Sequence, residues 1–171
     1  MFPLGHVGVG THIVPPRIRE QLRWRWLVLG CLLPDVLDKP VYFWAMAEHR
    51  PGDHLYLLHG SRLFGHTLLF LVALFVAGAA LRSERLRALG WGVATHLVLD
   101  LLPDFAAGYF FTFRHWLLWP LFGWGFPPAY GGRLVHGVDR ELATYIAGEL
   151  IGAALLIRAW AVSRGGKARA P

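Results

Sequence analysis

The run "LRALGWGVATHLVLDLLPD" places a histidine and two carboxylates, His96, Asp100 and Asp104, where leucine would be the inexpensive choice. His96 and Asp100 stand at i and i+4, so on a helix they share one face. Two further apolar stretches carry similar intrusions. "LLPDVLDKP" holds Asp35 and Asp38 at i and i+3, and "SRLFGHT" holds His66 four residues after Arg62, with His59 a further turn back. An ionisable group inside a bilayer costs about 2.5–3.5 kcal/mol on insertion scales. Several together persist only if they satisfy one another or hold a cation. Imidazole and carboxylate donors together suit zinc or another divalent transition metal. Taken singly, each feature has a plainer reading. His-x-x-x-Asp is also the pattern of two hydrogen-bonded core partners, and Leu-Pro-Asp is also a helix break with an Asp cap.

The elements that must position these residues are apolar. Of 171 residues 55% are hydrophobic and 16% charged, against about 25% charged in ordinary soluble domains. Mean hydropathy is +0.42, with 8 Trp and 11 Phe. The class this implies is all-α, a small polytopic membrane helical bundle, with one domain over 1–163 and a flexible basic tail over 164–171. A spanning helix needs about 20 apolar residues, and four segments come near that: Trp26 to Trp44, Phe64 to Leu81, Leu86 to Leu102 and Leu142 to Val162. The aromatic stretch "YFFTFRHWLLWPLFGWGFPPAYGG" fits an interfacial or re-entrant segment. The net charge of +6 is explained by arginines flanking the apolar segments, so no nucleic-acid partner is expected. Cys31 is the single cysteine, so no intrachain disulfide can form. The N-terminus has no positively charged n-region and is not expected to be a cleaved signal peptide.

Three basic clusters set the topology: Arg17, Arg19, Arg23 and Arg25 before segment one, Arg82, Arg85 and Arg87 between segments two and three, and Arg164, Lys167 and Arg169 after segment four. Alternating spans put all three on one side, which the positive-inside rule makes cytoplasmic, with both termini. Asp35, Asp38, His66, His96 and Asp100 then converge at similar depth toward the external face. The residue before a proline is pushed out of helical geometry. Segment three should therefore end near Leu102, leaving Asp104 in the external loop. Glu149, inside segment four, either contacts the site or hydrogen-bonds Tyr145 one turn earlier. Arg158 reads as a snorkelling residue.

The ordered motifs "MFPLGH", "LLPDVLDKP", "SRLFGHT" and "GVATHLVLD" resemble those of bacterial membrane-bound metal-dependent hydrolases. That family includes inner-membrane members under LexA control and is distantly similar to zinc-dependent phospholipase C and related single-strand nucleases. The resemblance covers about residues 1–125. It implies a bacterial inner-membrane location and metal-site positions at His6, Asp35, His66, His96 and Asp100, with Asp38 beside them. Ser61 stands where many members have a histidine, with His59 two residues earlier. His6 would have to come from a short half-helix, "LGHVGVGTHIV", packed on the bundle through Gly5, Gly8 and Gly10; His12 is a second candidate on that segment.

The function expected is a metal-dependent hydrolase acting on a phosphoester or lipid-like substrate through a metal-activated water. Asp38 is expected as general base or second ligand. Arg62 is expected either to hold a substrate anion or to anchor at the interface. One alternative is an ion or proton transporter, although segment two continues as "LLFLVALFVAGAAL" with no polar line toward the cytoplasm. The other is a catalytically silent membrane adaptor with a structural metal site.

Overall fold

A computed structural model describes residues 3–48, 61–106, 108, 111, 113–126 and 135–167. Every regular element among them is helical: α1 (Pro3–Ile13), α2 (Pro16–Arg19), α3 (Trp24–Glu48), a 3₁₀ turn at Phe64–His66, α4 (Leu68–Ala80), α5 (Glu84–Ala106), α6 (Phe113–Leu117) and α7 (Val135–Lys167). α5 is central. It packs most extensively on α3, with α4 on another flank, while α1 lies between α7 and the α3–α5 pair. Two contacts depend on glycine. A Cβ on Gly92 of α5 would collide with the Leu27 carbonyl of α3, and one on Gly8 of α1 would collide with the Gly152 carbonyl of α7. Small residues let these backbones approach where larger ones would hold them apart. The half-helix expected around His6 is thus a docked helix of 11 residues.

Ionisable residues are buried beside an apolar core, while many large apolar residues face outward. His6, Asp38, His66, His96, Asp100 and Asp104 are buried, while Val36, Phe43, Val76, Val98, Leu150 and Ile157 are exposed. The four expected spans come out unequally. Among the described residues, one helix is long and apolar enough to cross a membrane, over Leu142–Arg164 of α7. α3 and α5, with 25 and 23 residues, have the length but are not apolar enough, being interrupted by charged and polar residues. α4 has 13 residues, about 20 Å, against about 30 Å of hydrocarbon. Its helix starts late because Phe64–His66 forms the 3₁₀ turn and Thr67 caps α4, its hydroxyl accepting the Phe70 N–H at 3.0 Å.

Two local expectations are corrected. α5 does not stop near Leu102 but continues through Pro103 to Ala106, so Asp104 is buried and not in a solvated loop. Arg62 and His66 do not share a helical face: Arg62 precedes the 3₁₀ turn that His66 ends. α7 runs on through Arg164 to Lys167, while residues 168–171 lie outside the described residues.

Candidate metal centre

The centre forms where α1, α3, the 3₁₀ turn and α5 meet. Asp38, from α3, organises the turn. Its carboxylate accepts the backbone N–H groups of Leu63 (2.8 Å), Gly65 (2.9 Å) and His66 (3.2 Å), and the Nδ1–H of His66 at 2.6 Å. Gly65 fits because it lies directly on Pro34 and the Asp38 carboxylate, where a Cβ would be tight. With Nδ1 donating to a carboxylate, the neutral form of His66 presents Nε2 as a lone pair. His96 is fixed the same way, because its Nδ1–H donates to the Cys31 carbonyl at 2.7 Å. A carbonyl can only accept, so Nε2 of His96 is also the basic nitrogen.

These two Nε2 atoms face each other at 3.1 Å. Two lone pairs at that distance repel unless a cation or proton lies between them. Around them lie carboxylate oxygens. Asp100 Oδ2 is 3.4 Å from His66 Nε2 and 3.7 Å from His96 Nε2, and Asp35 Oδ1 is 3.6 Å from His66 Nε2. His6 stacks on His96 with centroids 3.9 Å apart, and its Nε2 is 3.3 Å from Asp100 Oδ1. That contact is not aligned as a hydrogen bond, and both buried ring nitrogens of His6 lack a hydrogen-bond partner. Buried polar atoms of this kind ordinarily find a partner or an ion.

The donor set fits a divalent metal. His6, His96 and Asp100 form one group of convergent ligand atoms and Asp35, His66 and His96 another, each within 4.8 Å. Tetrahedral zinc with bonds of about 2.0–2.1 Å has ligand atoms about 3.3 Å apart, close to the Nε2–Nε2 separation seen here.

All seven residues singled out in the sequence meet in this region, with differing roles. His6, Asp35, His66, His96 and Asp100 surround the Nε2 pair. Asp38 stands behind His66 with both oxygens engaged. Arg62 clamps α5 across Pro103: its Nε donates to Asp100 Oδ2 (3.1 Å), Nη1 to Asp104 Oδ2 (2.6 Å) and Nη2 to the Asp100 carbonyl (3.2 Å). Trp116 of α6 lies against the guanidinium, 4.8 Å from ring centroid to Cζ. Burial alone would lower the Arg62 pKa, but the Asp100 and Asp104 charges outweigh it and raise it above its ordinary value. His12 is turned away, its Nδ1 bonded to the Gly8 carbonyl at 2.7 Å. His59 lies outside the described residues.

A cavity of about 220 Å³ opens beside the centre, lined by Asp35, Lys39, Ser61, Arg62, His66, Asp100 and Tyr145. Lys39 is a missed participant. Its ammonium donates to Asp35 at 2.6 Å, and the i, i+4 spacing was the readable signal. Glu149 takes neither expected role directly. Its carboxylate accepts the N–H groups of Leu4 (3.2 Å) and Gly5 (2.6 Å), capping α1 and seating His6. The spacing to Tyr145 gave no hint of this contact, which is 144 residues distant.

A sequence model of the YdjM inner membrane protein family matches residues 1–167. The chain belongs to the YdjM inner membrane protein family. Membership agrees with the apolar exterior of the helices and gives the YdjM-type fold an inner-membrane setting. No match was found among curated proteins or among solved structures.

Proposed function

We propose that this YdjM-family chain is a membrane-embedded metal-dependent hydrolase acting on a phosphoester in a lipid-like substrate. The observation that carries the reading is the Nε2 pair of His66 and His96, 3.1 Å apart, each a lone-pair donor when its ring is neutral because its Nδ1–H is already engaged. His6, Asp35, His66, His96 and Asp100 would hold a divalent cation, best matched by zinc. Such a cation, when bound, activates water and polarises a phosphoryl oxygen.

The chain's own groups supply the rest. Asp38 and the Cys31 carbonyl fix the two imidazoles in tautomer and orientation, as outer partners of metal-ligating histidines do. Arg62 fixes Asp100 and still has N–H groups to spare, since three of its five are engaged. Those remaining groups and Lys39 line the cavity mouth and suit an anionic oxygen of a substrate. Four segments in the bilayer, with the basic clusters cytoplasmic, is the topology we infer. The lipid-compatible exterior of α3, α4, α5 and α7 supports it.

The test is hydrolysis of a chromogenic phosphodiester and of a short-chain phospholipid by detergent-purified protein. Turnover that stops with chelator, returns with zinc and is missing in His96→Ala supports the reading. Turnover unaffected by chelator, or none from metal-loaded protein, contradicts it.

A further inference from the structure

A second, larger cavity of about 540 Å³ lies between the N-terminal segment and the end of α7. It is separate from the metal centre. Its α7 lining begins near Leu155 and centres on Arg158, about 20 Å along that helix from Tyr145 at the other cavity. We propose that this cavity binds the headgroup of an anionic phospholipid, its phosphodiester on Arg19 and Arg158 and its acyl chain along the apolar stripe of α7.

Both halves of an amphiphile are represented in the lining. The polar half is His12, Arg19, Glu20 and Arg158. Neither guanidinium makes a side-chain hydrogen bond or ion pair among the described residues, although Glu20 lines the same cavity. Arg158 falls inside Leu142–Arg164, the stretch apolar enough to cross a membrane. An unpaired cation is expensive there and usually finds a counter-charge.

The three ionised groups carry one net positive charge, which one phosphodiester neutralises. Glu20 then offers an acceptor for a hydroxyl on the headgroup. His12 is held by Nδ1–H donation to the Gly8 carbonyl, which leaves its Nε2 an acceptor as well. The apolar half is Trp24 with Leu155, Ala159 and Val162, the last three at i, i+4 and i+7 on one face of α7. Free phosphate would have no use for that stripe; a lipid would. The cavity sits among the basic clusters that mark the cytoplasmic side, where anionic lipids attract juxtamembrane arginines.

The experiment is a titration of delipidated, detergent-purified full-length protein, followed by native mass spectrometry and thermal unfolding. The probes are phosphatidylglycerol, phosphatidylcholine and inorganic phosphate. Phosphatidylglycerol is expected to bind and raise Tm, with the other two far weaker. At about 1 kcal/mol per arginine, Arg19→Gln/Arg158→Gln should weaken phosphatidylglycerol binding about 30-fold. Arg158→Gln alone should weaken it about fivefold, and as an exposed, unpaired position it serves if the double variant is not recovered. Arg87→Gln, outside the cavity, should bind as the parent does. Equal binding of phosphatidylcholine, an equal effect of phosphate alone, undiminished binding by the arginine variants, or an equal loss in Arg87→Gln would each overturn the proposal.

Discussion

Asp38→Asn separates three roles that a carboxylate beside a histidine can have. Asp38 is 3% exposed and accepts four hydrogen bonds, three from backbone N–H groups and one from His66 Nδ1. Asparagine keeps the shape and one acceptor oxygen. Its NH₂ must face one of the donor sets, so either the Gly65 N–H or the group around His66 loses its partner. One buried donor left unsatisfied costs about 1–3 kcal/mol, so the fold should survive with a lower Tm. Metal affinity should fall about 10–100-fold, the usual range for an outer partner of a ligating histidine, equivalent to about 1.4–2.7 kcal/mol. The assay is competition with a chromogenic chelator on detergent-purified protein, beside His96→Ala. If Asp38→Asn loses metal as completely as His96→Ala, Asp38 is a direct ligand. If affinity is unchanged while turnover vanishes, Asp38 is a general base. Either result refutes the orienting role.

Three further outcomes are expected. Arg62→Ala should lower both Tm and metal affinity, because it strips the buried Asp100 and Asp104 carboxylates of their shared cation; loss of turnover with metal affinity and Tm intact would make Arg62 purely a substrate-binding residue. Glu149→Ala and His6→Ala should be strongly non-additive in a double-mutant cycle read by metal affinity, since the cap acts by seating α1; additive losses would mean that Glu149 acts elsewhere. A topology reporter fused after Arg169 should read cytoplasm and one inserted near Pro51 the external side, and the opposite pattern would invert the inferred orientation.

Much of the centre was legible in local spacing. His96 and Asp100 could be paired because both ends of the relation lie on one helix. Asp35, Asp38 and His66 stood out because carboxylates and imidazoles are expensive in apolar runs. What escaped is what long-range contacts decide. Pro103 ends most helices one residue earlier. Here α5 packs against α3, α4 and α7, and Arg62 bridges the side chain and carbonyl of Asp100 to Asp104 one turn on, so tertiary contacts carry the helix past the proline. The Arg62–His66 spacing implied a helix that the 3₁₀ turn replaces, because Asp38 draws in the backbone donors of Leu63, Gly65 and His66 there. Apolar length alone suggested four spans, yet part of segment two is spent on the turn that delivers His66. The cap that Glu149 places on α1 has no periodic signature at all.

Metal stoichiometry, measured by elemental analysis of detergent-purified protein, tests the central claim most directly. Wild type, His96→Ala, Asp100→Ala and Asp104→Ala would be compared after identical loading with zinc. The account predicts at least stoichiometric metal in wild type, loss in His96→Ala and in Asp100→Ala, and retention in Asp104→Ala, whose carboxylate is held by Arg62 away from the Nε2 pair. Wild type that holds no divalent metal, or Asp104→Ala that loses it while Asp100→Ala keeps it, would contradict the account.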